Sequence, residues 1–170
     1  MNVYFDTSVF LAIFNGESNG PSIRALLREL KSDKARVYTS IITAQEASVE
    51  ALRAGGRADD LYAQIGKLAR IHSITREIAL KAAKLESCII QKMHPSDLSE
   101  EERIGLNRRR KWDCFHIATA LDLDCTAVYT LDEKMIKRKQ HIDLSGIDFL
   151  RPMPTKLDLF SESISSSSIQ

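Results

Sequence analysis

Short apolar, β-prone runs at residues 2–5, 36–39, 126–130 and 147–150 are separated by stretches with the spacing of amphipathic helices. Strands joined through helices pair in parallel and need cover on both sheet faces. The alternation therefore predicts an α/β fold with a parallel sheet between helices. Helical spacing covers residues 8–14, and again a stretch entered near Pro21 with Ile23, Leu26, Leu27 and Leu30 on one face. Further helices are expected at 43–54, closed by Gly55-Gly56, at 59–70 with Leu61, Ile65 and Leu68 along one side, and at 75–93.

His94-Pro95 ends that last helix. Residues 96–111 are strongly polar, acidic at Glu100, Glu101 and Glu102 and basic from Arg108 to Lys111, and read as an inserted excursion. Beyond it the spacing predicts a helix over 113–123 and a basic helix over 132–139. A chain of 170 residues predicts one domain, here 1–152 with a polar insertion at about 94–111. Residues 153–170 end in a serine-rich run with few groups to bury, which predicts a mobile tail.

Four carboxylates stand where apolar runs give way to helical spacing: Asp6 after Val3-Tyr4-Phe5, Glu46 after Ile41-Ile42, Asp113 after Trp112, and Asp132 after Ala127-Val128-Tyr129. In an open α/β sheet, ligands bind outside the carboxyl ends of the strands, where distant segments converge. Two carboxylates about 4 Å apart repel by roughly 4 kcal/mol at an effective dielectric of ~20. Four gathered acids therefore call for a divalent cation.

Each acid also has a local reading. Asp6 precedes a helix and fits an N-cap. Thr43-Ala44-Gln45-Glu46 fits a capping box. Asp113 and Asp132 fall in expected first helical turns, where a negative charge suits the helix dipole. Capping accepts Ser, Thr, Asn or Asp at scattered sites, whereas a metal pocket needs carboxylates after several strands.

Other chemistries fit poorly. A phosphoaspartate receiver needs an acidic pair after the first strand, and a haloacid-dehalogenase-type site needs Asp-x-Asp, but Asp6 is followed by Thr7 and Ser8. No glycine-rich phosphate loop, nucleophile elbow or local Cys–His signature is present. Cys88, Cys114 and Cys125 have no CxxC spacing and read as reduced, buried thiols. The absence of a leader pattern and of any long apolar span leads to the expectation of a cytoplasmic protein with no membrane contact. Lys plus Arg (24) nearly cancels Asp plus Glu (23), so contact with nucleic acid must come from a local basic patch.

The segments Val3-Tyr4-Phe5-Asp6-Thr7-Ser8, Thr43-Ala44-Gln45-Glu46-Ala47, Trp112 to Ala120 and Tyr129-Thr130-Leu131-Asp132 resemble, in order, the acidic motifs of PIN-domain nucleases, especially VapC-type toxins. The likeness covers residues 2 to 140. It implies a three-layer α/β/α sandwich, Mg²⁺ or Mn²⁺ dependence and endonucleolytic cleavage of RNA. Asp6, Glu46, Asp113 and Asp132 match the acidic positions, with Ser8 and Thr130 as supporting neighbours. The resemblance also implies a VapB-like antitoxin partner and a homodimer.

On this reading Asp6 and Asp113 bind the metal directly, and Glu46 and Asp132 directly or through water. Arg108, Arg109, Arg110 and Lys111, with Lys134 beside Asp132, are candidate RNA contacts set against a solvated charged loop. Trp112 reads as core and His116 as a packed helix residue, while His72, His94 and His141 carry no assignment. The competing functions are a noncatalytic PIN-like module that binds RNA or protein, and an RNA-processing or DNA-directed nuclease with no antitoxin.

Overall fold

The computed structural model describes residues 1–92, 100–138, 144 and 146–154, without the side chains of 100–109 and 138. The start of the excursion and the serine-rich tail beyond Pro154 lie outside the described residues. In chain order the elements are β1 (Asn2–Phe5), α1 (Thr7–Phe14), α2 (Gly20–Ser32), β2 (Arg36–Ser40), α3 (Ile41–Arg53) and α4 (Ala58–Leu68). There follow β3 (Arg70–His72), α5 (Arg76–Lys92), α6 (Glu100–Asp122), β4 (Ala127–Tyr129), α7 (Glu133–Arg138) and β5 (Asp148–Leu150).

The strands form one sheet in the order β3-β2-β1-β4-β5, with every pairing parallel. Side chains alternate across a strand, so a strand covered on both sides must be apolar throughout. Val3 and Phe5 of β1, with Ala127 and Tyr129 of β4, enter a core shared with α1, α2, α3 and α4. Tyr4 and Val128, the residues between them, enter a second core with α5, α6 and α7. This is the expected three-layer α/β/α sandwich with a parallel centre.

From β1 the chain steps outward to β2 and β3 through α1–α4, then returns through α5 and α6 to place β4 on the other side of β1. The direction of winding reverses between β1 and β4, which opens a crevice at their carboxyl ends. Asp6 and Asp132 follow these two strands. Across the crevice the Asp6 amide donates to the carbonyl of Tyr129 at 3.2 Å.

Four local expectations need correction. The strand β3 occupies residues 70–72, read as a helix end and the residues after it, because three residues of Arg-Ile-His carry almost no pattern. Helix α3 begins at Ile41 with Ser40 as its cap, since the Ser40 hydroxyl accepts from the Ile42 amide at 3.1 Å. Thr43 is therefore inside the helix and no capping box exists at Glu46. Residues 100–122 form one helix in place of an excursion and a shorter helix, which puts Asp113 in mid-helix and removes its first-turn reading. Cys88 is exposed, unlike Cys114 and Cys125. The expected terminator after α3 is present: Gly55 has φ +79°, a conformation that side-chain-bearing residues rarely adopt.

Candidate active site

Asp6, Glu46, Asp113 and Asp132 all line one pocket of about 280 Å³ at the carboxyl ends of β1 and β4. Asp6 and Asp132 arrive on the turns that follow the strands, Glu46 on α3 from one helical layer, and Asp113 on α6 from the other. Thr7, Ser8, Glu50, Trp112 and His116 complete the polar and aromatic lining.

Asp6 is 4% exposed and tightly held. Its Oδ1 accepts from the Ser8 hydroxyl at 2.6 Å and from the Val9 amide at 3.3 Å, and its Oδ2 accepts from the Thr130 hydroxyl at 2.5 Å. The capping reading is thus true of one oxygen, and the rest of the carboxyl is set by contacts across the sheet. Burial pushes the Asp6 pKa above the ordinary carboxylate range, against the opposing effects of the His116 charge and of the Ser8, Thr130 and Val9 hydrogen bonds. Ser8 and Thr130 also tie the crevice together, since the Leu131 amide donates to Ser8 Oγ at 2.8 Å and the Asp132 amide to Thr130 Oγ1 at 2.9 Å. Asp132 caps α7 through a 2.8 Å bond from the Lys134 amide.

Glu46 is held by two side chains that sequence reasoning did not assign to the site. Its Oε2 accepts from the Thr7 hydroxyl and lies 3.2 Å from His116 Nε2. The other ring nitrogen of His116, Nδ1, lies 2.7 Å from the Tyr4 hydroxyl beneath the site. His116 is buried as expected, but it faces the acids. Burial disfavours its charge, yet the hydrogen bond and charge of Glu46, then Asp6 and Asp113, outweigh that and raise its pKa. Burial likewise opposes the charge on Glu46, but the bond and charge of His116 and the bond from Thr7 lower its pKa overall.

The missed residues had a spacing signal. His116 stands three residues after Asp113 and Glu50 four after Glu46, so each pair shares a helix face. Trp112 corrects another expectation: it is 38% exposed and stands at the pocket edge instead of in the core. Arg110 does the reverse. It is buried, with Nη2 3.5 Å from Glu86 Oε1 on α5, so it joins two helices instead of facing RNA. Lys111 and Lys134 are exposed, and the side chains of Arg108 and Arg109 lie outside the described residues.

The donor set is chemically suited to a hard divalent ion, because the four assigned side chains offer carboxylate oxygens and His116 is already engaged. Among the described residues, however, no three His, Cys, Asp or Glu side chains close into a ready coordination cage. The four carboxylates thus face one space without converging on a single point. That spacing suits an ion that would take one or two carboxylates directly and reach the others through water, the usual habit of Mg²⁺.

The sheet order and the converging carboxylates define a parallel α/β protein with an acidic pocket at its topological switch point. The sequence profile of the PIN domain matches residues 3–141, and the chain belongs to that family. Comparison with curated proteins finds no match. Among solved structures the chain is similar to VapBC-1 from nontypeable Haemophilus influenzae, with TM-score 0.59 and 16% identity over 89% of this chain and 98% of that one. VapBC2 from Rickettsia felis, bound to a DNA fragment from its promoter, gives TM-score 0.60 and 12% identity over the same shares. VapC20 of Mycobacterium tuberculosis, described as a Sarcin-Ricin loop cleaving toxin, gives 0.52 and 17% over 78% and 92%.

Proposed function

We propose that this PIN-domain protein is a Mg²⁺- or Mn²⁺-dependent endoribonuclease and the toxin of a toxin–antitoxin pair. The observation that carries the reading is the convergence of Asp6, Glu46, Asp113 and Asp132, from both helical layers and two strand ends, on one pocket. In this reading Asp6 and Asp113 bind the ion directly, and Glu46 and Asp132 directly or through water. A divalent ion held by these residues would supply a bound water of lowered pKa and a positive charge to offset that building on a phosphate.

The protein's own groups prepare that chemistry. Ser8 and Thr130 fix both oxygens of Asp6, which removes rotational freedom from a candidate ligand. Thr7 and His116 fix Glu46 with its charge retained, so it can orient a water toward phosphorus. Attack in line with the scissile P–O bond leaves a 5′-phosphate on one fragment and a 3′-hydroxyl on the other. Trp112, partly exposed at the pocket edge, is the aromatic side chain placed to meet an RNA base.

The proposed setting is supported by structural neighbours that are toxin–antitoxin complexes, including one from Klebsiella pneumoniae. A VapB-like antitoxin would cover the pocket edge, and a homodimer is the proposed assembly. Purified protein incubated with structured and unstructured RNAs should cut them with Mn²⁺ and stop on chelation. Asp6→Asn or Asp113→Asn should each lower the rate by about 100-fold or more while leaving the circular-dichroism spectrum intact. Turnover equal to wild type in both variants would remove the four-acid site as the source of cleavage, and a wild-type protein that never cuts would favour a noncatalytic module.

A further inference from the structure

At the opposite end of the sheet from the acidic pocket lies a larger groove of about 910 Å³, between α2 and α4 at the amino ends of β2 and β3. Arg24, Arg28 and Lys31 line it from α2, Lys34 and Arg36 from the entry to β2, and Lys67 and Arg70 from the step between α4 and β3. No carboxylate is among its lining residues. All seven cations are exposed, and among the described residues none takes part in a salt bridge. In a chain of net charge +1, more than a quarter of the 24 basic residues are thus collected in one groove.

The arrangement carries a cost. Arg24, Arg28 and Lys31 stand at successive four- and three-residue steps, so like charges are aligned on one helix face, which is unfavourable without a counter-charge. A polyanion seated in the groove removes that repulsion and releases its own condensed counterions. Four of the cations are arginines, whose planar forks match phosphate oxygens. Its large apolar side chains, Leu27, Val37 and Leu68, stand partly exposed among seven cations, and no aromatic residue lines the groove. A protein partner would need a buried apolar anchor, and single-stranded bases would need a stacking platform. The groove has no aromatic platform, and its seven cations outnumber the three large apolar side chains that an anchor could meet. Duplex RNA, read through its phosphates and sugars, needs neither.

We propose that this groove docks the sugar–phosphate backbone of a duplex RNA segment, independently of sequence. Arg36 and Ser40 mark the two ends of β2, about 13 Å apart at ~3.3 Å per residue, so one folded RNA can span groove and pocket. The cleavage consequence rests on the ribonuclease reading, but the binding does not.

The test is binding of a fluorescent RNA hairpin to the full chain in EDTA, where no metal-dependent cleavage occurs, across a salt titration. The combined substitution Arg28→Ala, Arg36→Ala, Arg70→Ala should weaken binding at least about 10-fold and flatten the log–log salt slope by about three. Arg28→Lys, Arg36→Lys, Arg70→Lys should keep the slope. Hairpins of unrelated sequence should bind alike, and a single strand of equal length more weakly. Unchanged affinity in the alanine variant, with its melting curve intact, overturns the proposal. So does poly-glutamate displacing the hairpin at equal or lower charge concentration, an outcome that assigns the groove to an acidic protein. A wild-type protein that binds through the groove but never cuts would defeat the nuclease reading and leave the groove standing.

Discussion

At the scale of single residues, the site is organised by hydroxyls as much as by acids. Thr130 is fully buried and spends its one side-chain oxygen twice, donating to Asp6 Oδ2 and accepting from the Asp132 amide. Thr130→Val keeps the shape and deletes both bonds. It should cost about 1–3 kcal/mol in urea unfolding of the metal-free protein, because a buried acceptor and a half-buried amide lose their partner. A loss within error would mean that Asp6 is held by Ser8 and Val9 alone. His116 illustrates a limit on reading residues singly: a histidine among Phe115, Ile117 and Ala118 looks like core. Only its contacts with Glu46 and Tyr4 reveal a polar role.

At the scale of elements, α6 decides more than any other. Its continuity through Glu100–Asp122 places Asp113 and His116 on the face that meets the pocket while Cys114, Ile117 and Ala118 enter the second core. The Arg108–Lys111 run masked this helix, since repeated cations suggest a loop whereas each residue in it is a competent helix former. The same element geometry sorts the cysteines. Cys114 and Cys125 are buried, and burial, with the charge of Asp124, pushes the Cys125 thiol up to about 12, while Cys88 is exposed on α5. Maleimide or disulfide-reagent labelling of the native protein near neutral pH should therefore modify one thiol quickly, mapped to Cys88 by mass spectrometry, and the other two only on unfolding. Rapid labelling of Cys114 would contradict the α6 register.

At the scale of the whole molecule, a chain of net charge +1 places an acid-lined pocket at one end of the sheet and a cation-lined groove at the other. The acidic end makes metal-free stability depend on pH. Asp6 has a raised folded pKa, so its contribution falls as pH rises from the ordinary aspartate value of 3.8 through the folded value. His116, also raised, contributes fully below its ordinary 6.5 and loses that contribution as pH rises through the folded value. Glu46, lowered, contributes above its ordinary 4.5 and loses it as pH falls through the folded value. On the proposed reading, a divalent ion would replace the proton on Asp6. The melting temperature without metal should therefore decline as pH rises through the folded values of Asp6 and His116, and the increment from MnCl₂ should grow over the same rise. An increment equal at every pH would separate metal binding from Asp6.

The layer architecture was legible from the residues alone, because apolar runs such as Val3-Tyr4-Phe5 and Ala127-Val128-Tyr129 have only one economical use: a strand covered on both faces. The four acids were legible too, through their positions beside those runs and the family motifs they resemble. Tertiary structure decided the remainder. Whether Glu46 caps a helix or faces a pocket depends on where α3 starts, and Ser40 settles that by one hydrogen bond. The meeting of Thr7 and His116 on Glu46, and the gathering of Arg28, Arg36 and Arg70 around one groove, follow from strand order. Periodicity records which way a side chain points from its own element; it holds no record of which elements become neighbours, and that is a property of the folded sheet.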